Sequence, residues 1–176
     1  MTKGGPNNQG FPSLARVLRT ATAVETAVAI VALTVMTSVV FLDVLGRELI
    51  GQGIAGAQRI GVFAFVLAGF LGLPLATARG GHLRPKFADG LFPPRARSTV
   101  LVIQHGIAAV ISLGLAWFGL SFARQTLTLQ EVSPVLEIPI GLVQLVLPYA
   151  FLSSGLRHAV YTLYPDLAPD ETGDIS

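Results

Sequence analysis

Charged residues leave four long gaps in this chain: Thr26 to Leu42, Ile60 to Ala78, Ser98 to Ala123 and Ile138 to Leu156, spanning 17, 19, 26 and 19 residues. A bilayer's hydrocarbon core is about 30 Å thick and takes about 20 helical residues to cross, so each gap reads as a transmembrane helix. The first gap is the shortest, but Ala21 to Val24 and Val44 to Leu45 continue its apolar pattern beyond Glu25 and Asp43. Only 12% of residues are charged, against roughly a quarter in an ordinary soluble domain. The expected fold is an all-α membrane protein with helices at about 21–45, 59–79, 98–123 and 138–158.

The remaining charge is placed unevenly. Lys3, Arg16 and Arg19 precede the first helix, Arg79, Arg84, Lys86, Arg95 and Arg97 fill the second connection, and Arg157 closes the fourth helix. Those nine face only three on the other side, Arg47 and Arg59 in the first connection and Arg124 in the third. The positive-inside rule therefore puts both termini and the second connection in the cytoplasm. Membrane orientation accounts for the basic residues, so a nucleic-acid partner is not expected. The first apolar run exceeds a signal peptide's 7–15-residue core and no small-x-small cleavage pattern follows it, so it reads as a retained anchor. The sequence contains no cysteine, which removes disulfides and thiolate metal sites from consideration.

Residues 1–12, rich in Gly, Pro and Asn, are expected to be disordered, and the acidic, proline-bearing tail at 165–176 to be loose. Between them a membrane domain over 13–164 should open with a short interfacial helix. Ser13 can cap it, with Leu14, Val17, Leu18 and Ala21 on one face and Arg16, Arg19 and Thr20 opposite. Small residues at four-residue spacing, Ala64, Ala68 and Gly72 in the second helix and Ala108, Ser112 and Ala116 in the third, mark expected packing faces. Trp117 and Phe122 at one end and Tyr161 and Tyr164 at the other fit interfacial aromatic belts. Pro74 and Pro148 should kink the second and fourth helices or leave carbonyls free in them.

The second helix leads into Arg79-Gly80-Gly81-His82-Leu83-Arg84-Pro85-Lys86-Phe87. Glycines that follow a helix, with no Gly-Lys-Ser/Thr ending, do not build a phosphate loop. Gly80 or Gly81 is instead placed to close the helix in the left-handed conformation, with His82 at the negative end of its dipole. Leu83, Phe87 and Leu91 then form one face of a short element at the inner leaflet, stopped by Pro93-Pro94.

Three features together carry a family resemblance: Asp43-Val44-Leu45-Gly46-Arg47 closing the first helix, the RGGHLRPKF stretch after the second, and SPVLEIPIGLVQLVLPYAF (Ser133 to Phe151) opening the fourth with Pro134, Pro139 and Pro148. From about Ala23 to His158 the chain resembles the small membrane subunit, the DctQ type, of tripartite ATP-independent periplasmic (TRAP) transporters. The resemblance implies a scaffold in the bacterial inner membrane, without catalysis or cofactor. It also implies a large multi-helix membrane subunit holding the substrate and ion sites, and a periplasmic binding protein that docks transiently to deliver an organic acid, taken up along an ion gradient. Its partner-facing candidates are Asp43, Arg47, Glu48, Gln58 and Arg59 in the first outer connection and Arg124, Glu131 and Glu137 in the second. Family members often carry acidic residues and a proline before the second helix, where this chain has Gly56-Ala57-Gln58-Arg59.

Independently of the resemblance, Glu25, Asp43, Glu137 and Arg157 all fall at helix ends, where water is within reach, and no ionisable residue falls at mid-membrane. That favours a supporting subunit over a carrier. Asp43 and Arg47, four apart, can pair or anchor a partner helix. Thr34, Ser38, Gln104, Ser112 and Gln144 are expected to bond to backbone or neighbouring helices. No Ser-His-Asp set, metal-ligand spacing or paired carboxylates point to an enzyme. The alternative function is a redox subunit with haem b between His105 and His158, although their expected depths differ. A free-standing exporter rests on helix count alone.

Overall fold

The computed structural model describes residues 12–80 and 97–169. These form α1 (Pro12–Ile50), α2 (Ala57–Ala78), α3 (Arg97–Thr128), a five-residue α4 (Ile140–Gln144) and α5 (Val146–Leu163), followed by a 3-10 turn at Pro165–Leu167. Four stretches are long and apolar enough to cross a membrane: Ser13–Ile50, Ala57–Ala78, Thr99–Thr128 and Ile140–Leu163, the last combining α4 and α5. The expectations for residues 1–11 and 170–176, for Gly81 and His82, and for the amphipathic element beyond them fall outside the described residues.

The short interfacial helix expected at the N-terminus is not a separate element. No Gly or Pro occurs between Ser13 and Leu45 to interrupt the helix, and the amphipathic turns run straight into the apolar ones. The result is a single helix of 39 residues. At 1.5 Å per residue it is roughly 58 Å long, about twice the thickness of a hydrocarbon core.

The helices pack in a row. α1 lies along α2, α2 along α5, and α5 along α3, with α4 also resting on α3; no extensive packing joins α1 directly to α5 or α3 among the described residues. Small residues make the close approaches possible. On α2, Ala57, Gly61, Ala64, Ala68 and Leu71 are buried in steps of four and three, and a Cβ on Gly61 would stand 2.8 Å from Val40 of α1. Gly72, expected on this face, is exposed, and nothing approaches its position within 4 Å. It lies one residue past buried Leu71, so a fixed four-residue step drifts off the contact face. On α3 the expected stripe is partly displaced: Ala116 is buried, Ala108 and Ser112 only half-buried, while Ala109 and Ala123 are buried. Gly155 of α5 meets Leu113, and Gly141 of α4 meets Leu127 and Ala123.

The two prolines behave differently. Pro74 sits inside an unbroken α2, whereas the fourth span breaks at Leu145, three residues before Pro148. Pro148 has no N–H for the Gln144 carbonyl four residues back. Leu145 N bonds to Leu142 O at 3.3 Å in a tighter turn, and regular spacing resumes with Tyr149 N to Leu145 O at 3.2 Å. Gly80 closes α2 as expected, with φ of 67°. Trp117 and Phe122 are exposed, but Tyr161 is buried, because it packs on the two histidines described below.

Candidate functional site

Three places among the described residues stand out as candidate sites. The first lies between the N-terminal half of α1 and the C-terminal half of α5, where Glu25 and Arg157, each 1% exposed, form an ion pair. Arg157 Nη2 donates to Glu25 Oε2 at 2.8 Å and Nη1 donates to Oε1 at 3.2 Å. Oε1 also accepts from the Ser153 hydroxyl at 2.6 Å and the Tyr149 hydroxyl at 3.2 Å. Arg157 donates further to Ser153 Oγ at 2.6 Å and Thr22 Oγ1 at 3.1 Å. Tyr149, Ser153 and Arg157 follow one another by four residues, so α5 turns a single polar stripe toward Glu25. The sequence reading placed Glu25 and Arg157 in reach of water. The structure corrects this: both are buried and neutralise each other out of water. The legible signal was that stripe on an otherwise apolar helix, together with a lone acid near the same end of the first helix.

Close by, Nδ1 of His105 and Nδ1 of His158 lie 2.9 Å apart, and Tyr161 packs edge-on against both rings. The expected mismatch in depth is therefore overturned, because α3 and α5 bring the two rings level. The arrangement nevertheless does not fit haem. Two ring nitrogens in direct contact leave no space for a porphyrin plane between them, so the imidazoles bond to each other.

The second place is where the α1–α2 and α3–α4 connections adjoin. Asp43, expected as a partner-facing residue, is 6% exposed. Its Oδ2 accepts from Arg47 Nη2 at 2.7 Å and its Oδ1 from the backbone N–H of Ile54 at 2.7 Å, so the carboxylate folds the first connection back over the end of α1. A Cβ on Gly53 would stand 2.6 Å from Asp43 Oδ1, so the loop can approach this closely only through glycine. Arg47, Glu48, Gln58, Arg59, Arg124, Glu131 and Glu137 are exposed. The connection from α3 to α4 is a tight turn. Ser133 N bonds to Ile138 O at 2.9 Å, Glu137 N to Ser133 O at 2.8 Å, and Val132 bridges Pro139, which leads into α4. Glu137 and Gln130 both take φ of 53°. Pro134 is exposed in this turn, whereas Pro148 is buried against α3. The two connections adjoin, because a Cβ on Gly56 would touch Leu136 and Val135.

The third place is an apolar groove of about 720 Å³ between α1, α2 and the α4–α5 break, lined by Val28, Phe63, Leu67, Leu136, Leu142 and Val146 among others. Glu25 and Tyr149 also line it. No group of three or more His, Cys, Asp or Glu capable of holding a metal occurs among the described residues.

The family model for the DctQ component of tripartite ATP-independent periplasmic transporters matches residues 36–167, three-quarters of the chain. The chain belongs to the DctQ family. It is also similar to the ectoine TRAP transporter small permease protein TeaB of Halomonas elongata, at 17% identity over 152 residues covering 86% of this chain and 79% of that protein. As a DctQ chain it is a transporter component, and its four membrane-length helices are those of a TRAP small permease subunit. The family match begins after Glu25 and ends at Leu167, so it takes in Arg157, the histidine pair and both outer connections.

Proposed function

We propose that this small permease subunit is a fixed scaffold beside a large multi-helix membrane subunit. The transporter they form would be a secondary, ion-gradient-driven importer of organic acids, carboxylates among them, loaded by a periplasmic binding protein. The observation that carries the scaffold reading is the open row of helices. A protein that moved a solute by itself would need a polar path enclosed by its own helices. Here α1, α2, α5 and α3 stand side by side, the buried Glu25–Arg157 pair is internally neutralised, and Val110, Phe118, Phe65 and Val31 project outward at more than half exposure. The nine-to-three excess of basic residues supports an inner-membrane orientation with cytoplasmic termini.

The test is purification in mild detergent from cells carrying the neighbouring genes. A large hydrophobic subunit should emerge with this chain in fixed proportion. Emergence of the chain alone, even after crosslinking, overturns the scaffold reading. The relative's name carries ectoine, but 17% identity does not transfer a substrate. Organic acids are therefore tested by uptake of a labelled panel that includes ectoine.

A further inference from the structure

We propose that the Glu25–Arg157 cluster is a polar clasp that seats the first helix on the last, and that the apolar groove exists in its present form because of that clasp. α1 and α5 have no extensive packing between them, and both rest on α2. Their side chains nevertheless meet through five hydrogen bonds, in which Thr22 and Glu25 from α1 face Tyr149, Ser153 and Arg157 from α5. A sixth, Arg157 to Ser153, lies within α5 and holds the guanidinium toward α1. In lipid, apolar contact supplies little drive for one helix to choose another, whereas a buried charge strongly selects the position that satisfies it. The clasp therefore fixes the rotation of α1, because only one face of that helix carries Glu25 and Thr22. It also fixes the register, because sliding by one turn would remove Glu25 from Arg157. The groove's lining follows from that seating: Val24, Val28 and Glu25 on one wall face Leu142, Val146 and Tyr149 on the other.

A further consequence concerns order. Glu25 enters the membrane with the first helix and Arg157 with the last, so α1 cannot reach its final seating until α5 is in place.

This is a property of the chain itself and does not depend on its partner. The absence of native cysteine makes it directly testable in the full chain in membranes. Ala29 and Val146 share one buried cluster across α1 and α5, so Ala29→Cys with Val146→Cys reports the seating through a short bifunctional thiol reagent. Gly106→Cys with Thr162→Cys reports α3 on α5, where a Cβ on Gly106 would lie 3.9 Å from Thr162. The α1–α5 crosslink should fall several-fold in Glu25→Leu and recover largely when the charges are exchanged as Glu25→Arg with Arg157→Glu, while the α3–α5 crosslink holds in every variant. Three results overturn the proposal: an undiminished α1–α5 crosslink in Glu25→Leu, no recovery on charge exchange, or equal loss of both crosslinks, which would make the charges a requirement of the whole fold rather than of α1's seating.

Discussion

Two glycines on neighbouring helices have opposite roles, although their sequence contexts look alike. A Cβ on Gly155 would stand 3.0 Å from the Leu113 side chain and 3.2 Å from its backbone nitrogen, where α5 crosses α3. At Gly72 of α2 nothing lies within 4 Å. Replacing a helical glycine by alanine gains about 1 kcal/mol in propensity, whereas overpacking a close contact costs about 1–3 kcal/mol. Gly72→Ala should therefore raise the thermal midpoint of the isolated chain in detergent and Gly155→Ala should lower it. A shift of the same sign in both would mean that α3 and α5 are not so closely apposed. Spacing alone assigned Gly72 to a packing face, because the periodicity of small residues does not reveal where the neighbour stands. Glu25 and Arg157 were misread for a related reason: a charge at the end of an apolar run looks wet until the helix across from it is known.

At the scale of elements, the count of four membrane-length helices and the closure of α2 at Gly80 were legible, because lipid permits few alternatives to a charge-free helix of bilayer length. The exact course of the ends was not. The N-terminal amphipathic turns could stop at the interface or continue, and only the lack of a breaker before Gly46 favours continuation. Proline was a partial guide, since α2 runs unbroken through Pro74 whereas the fourth span breaks three residues before Pro148. The difference lies in the surroundings: Gln144 sits just after a tight turn anchored by the bridge of Val132 to Pro139, so its end of the helix is already constrained. Pro148→Ala restores an N–H that can bond to the Gln144 carbonyl. It should join α4 to α5, slow amide exchange at residues 145–149 by about tenfold, the factor expected for about 1.4 kcal/mol, and shift Leu142 in the groove wall. Unchanged exchange there would show that the outer turn, not the proline, imposes the break.

At the scale of the whole molecule, the row of helices leaves one edge of polar groups outside the membrane where its two outer connections adjoin. If both termini are cytoplasmic, that edge faces the periplasm and a binding protein arriving there meets Arg59, Arg124, Glu131 and Glu137, all exposed. Arg47 is less suited to docking, because it holds Asp43 and through it the turn at Ile54; its reversal would disturb the loop as well as the charge. Charge at a transient docking surface chiefly speeds encounter, and salt screens it over about 10 Å at 0.1 M. Arg59→Glu with Arg124→Glu should therefore slow uptake by the assembled transporter several-fold at low ionic strength and little at high, with wild-type abundance and an unchanged complement of large subunit. The orientation is checked in the same strains: a cysteine at Gln58 should react with an impermeant thiol reagent in intact spheroplasts, and one at Ala88 only after lysis. With that orientation established, a double reversal that transports normally across the whole salt series would reduce both cations to solvated loop residues and move the docking site onto the large subunit.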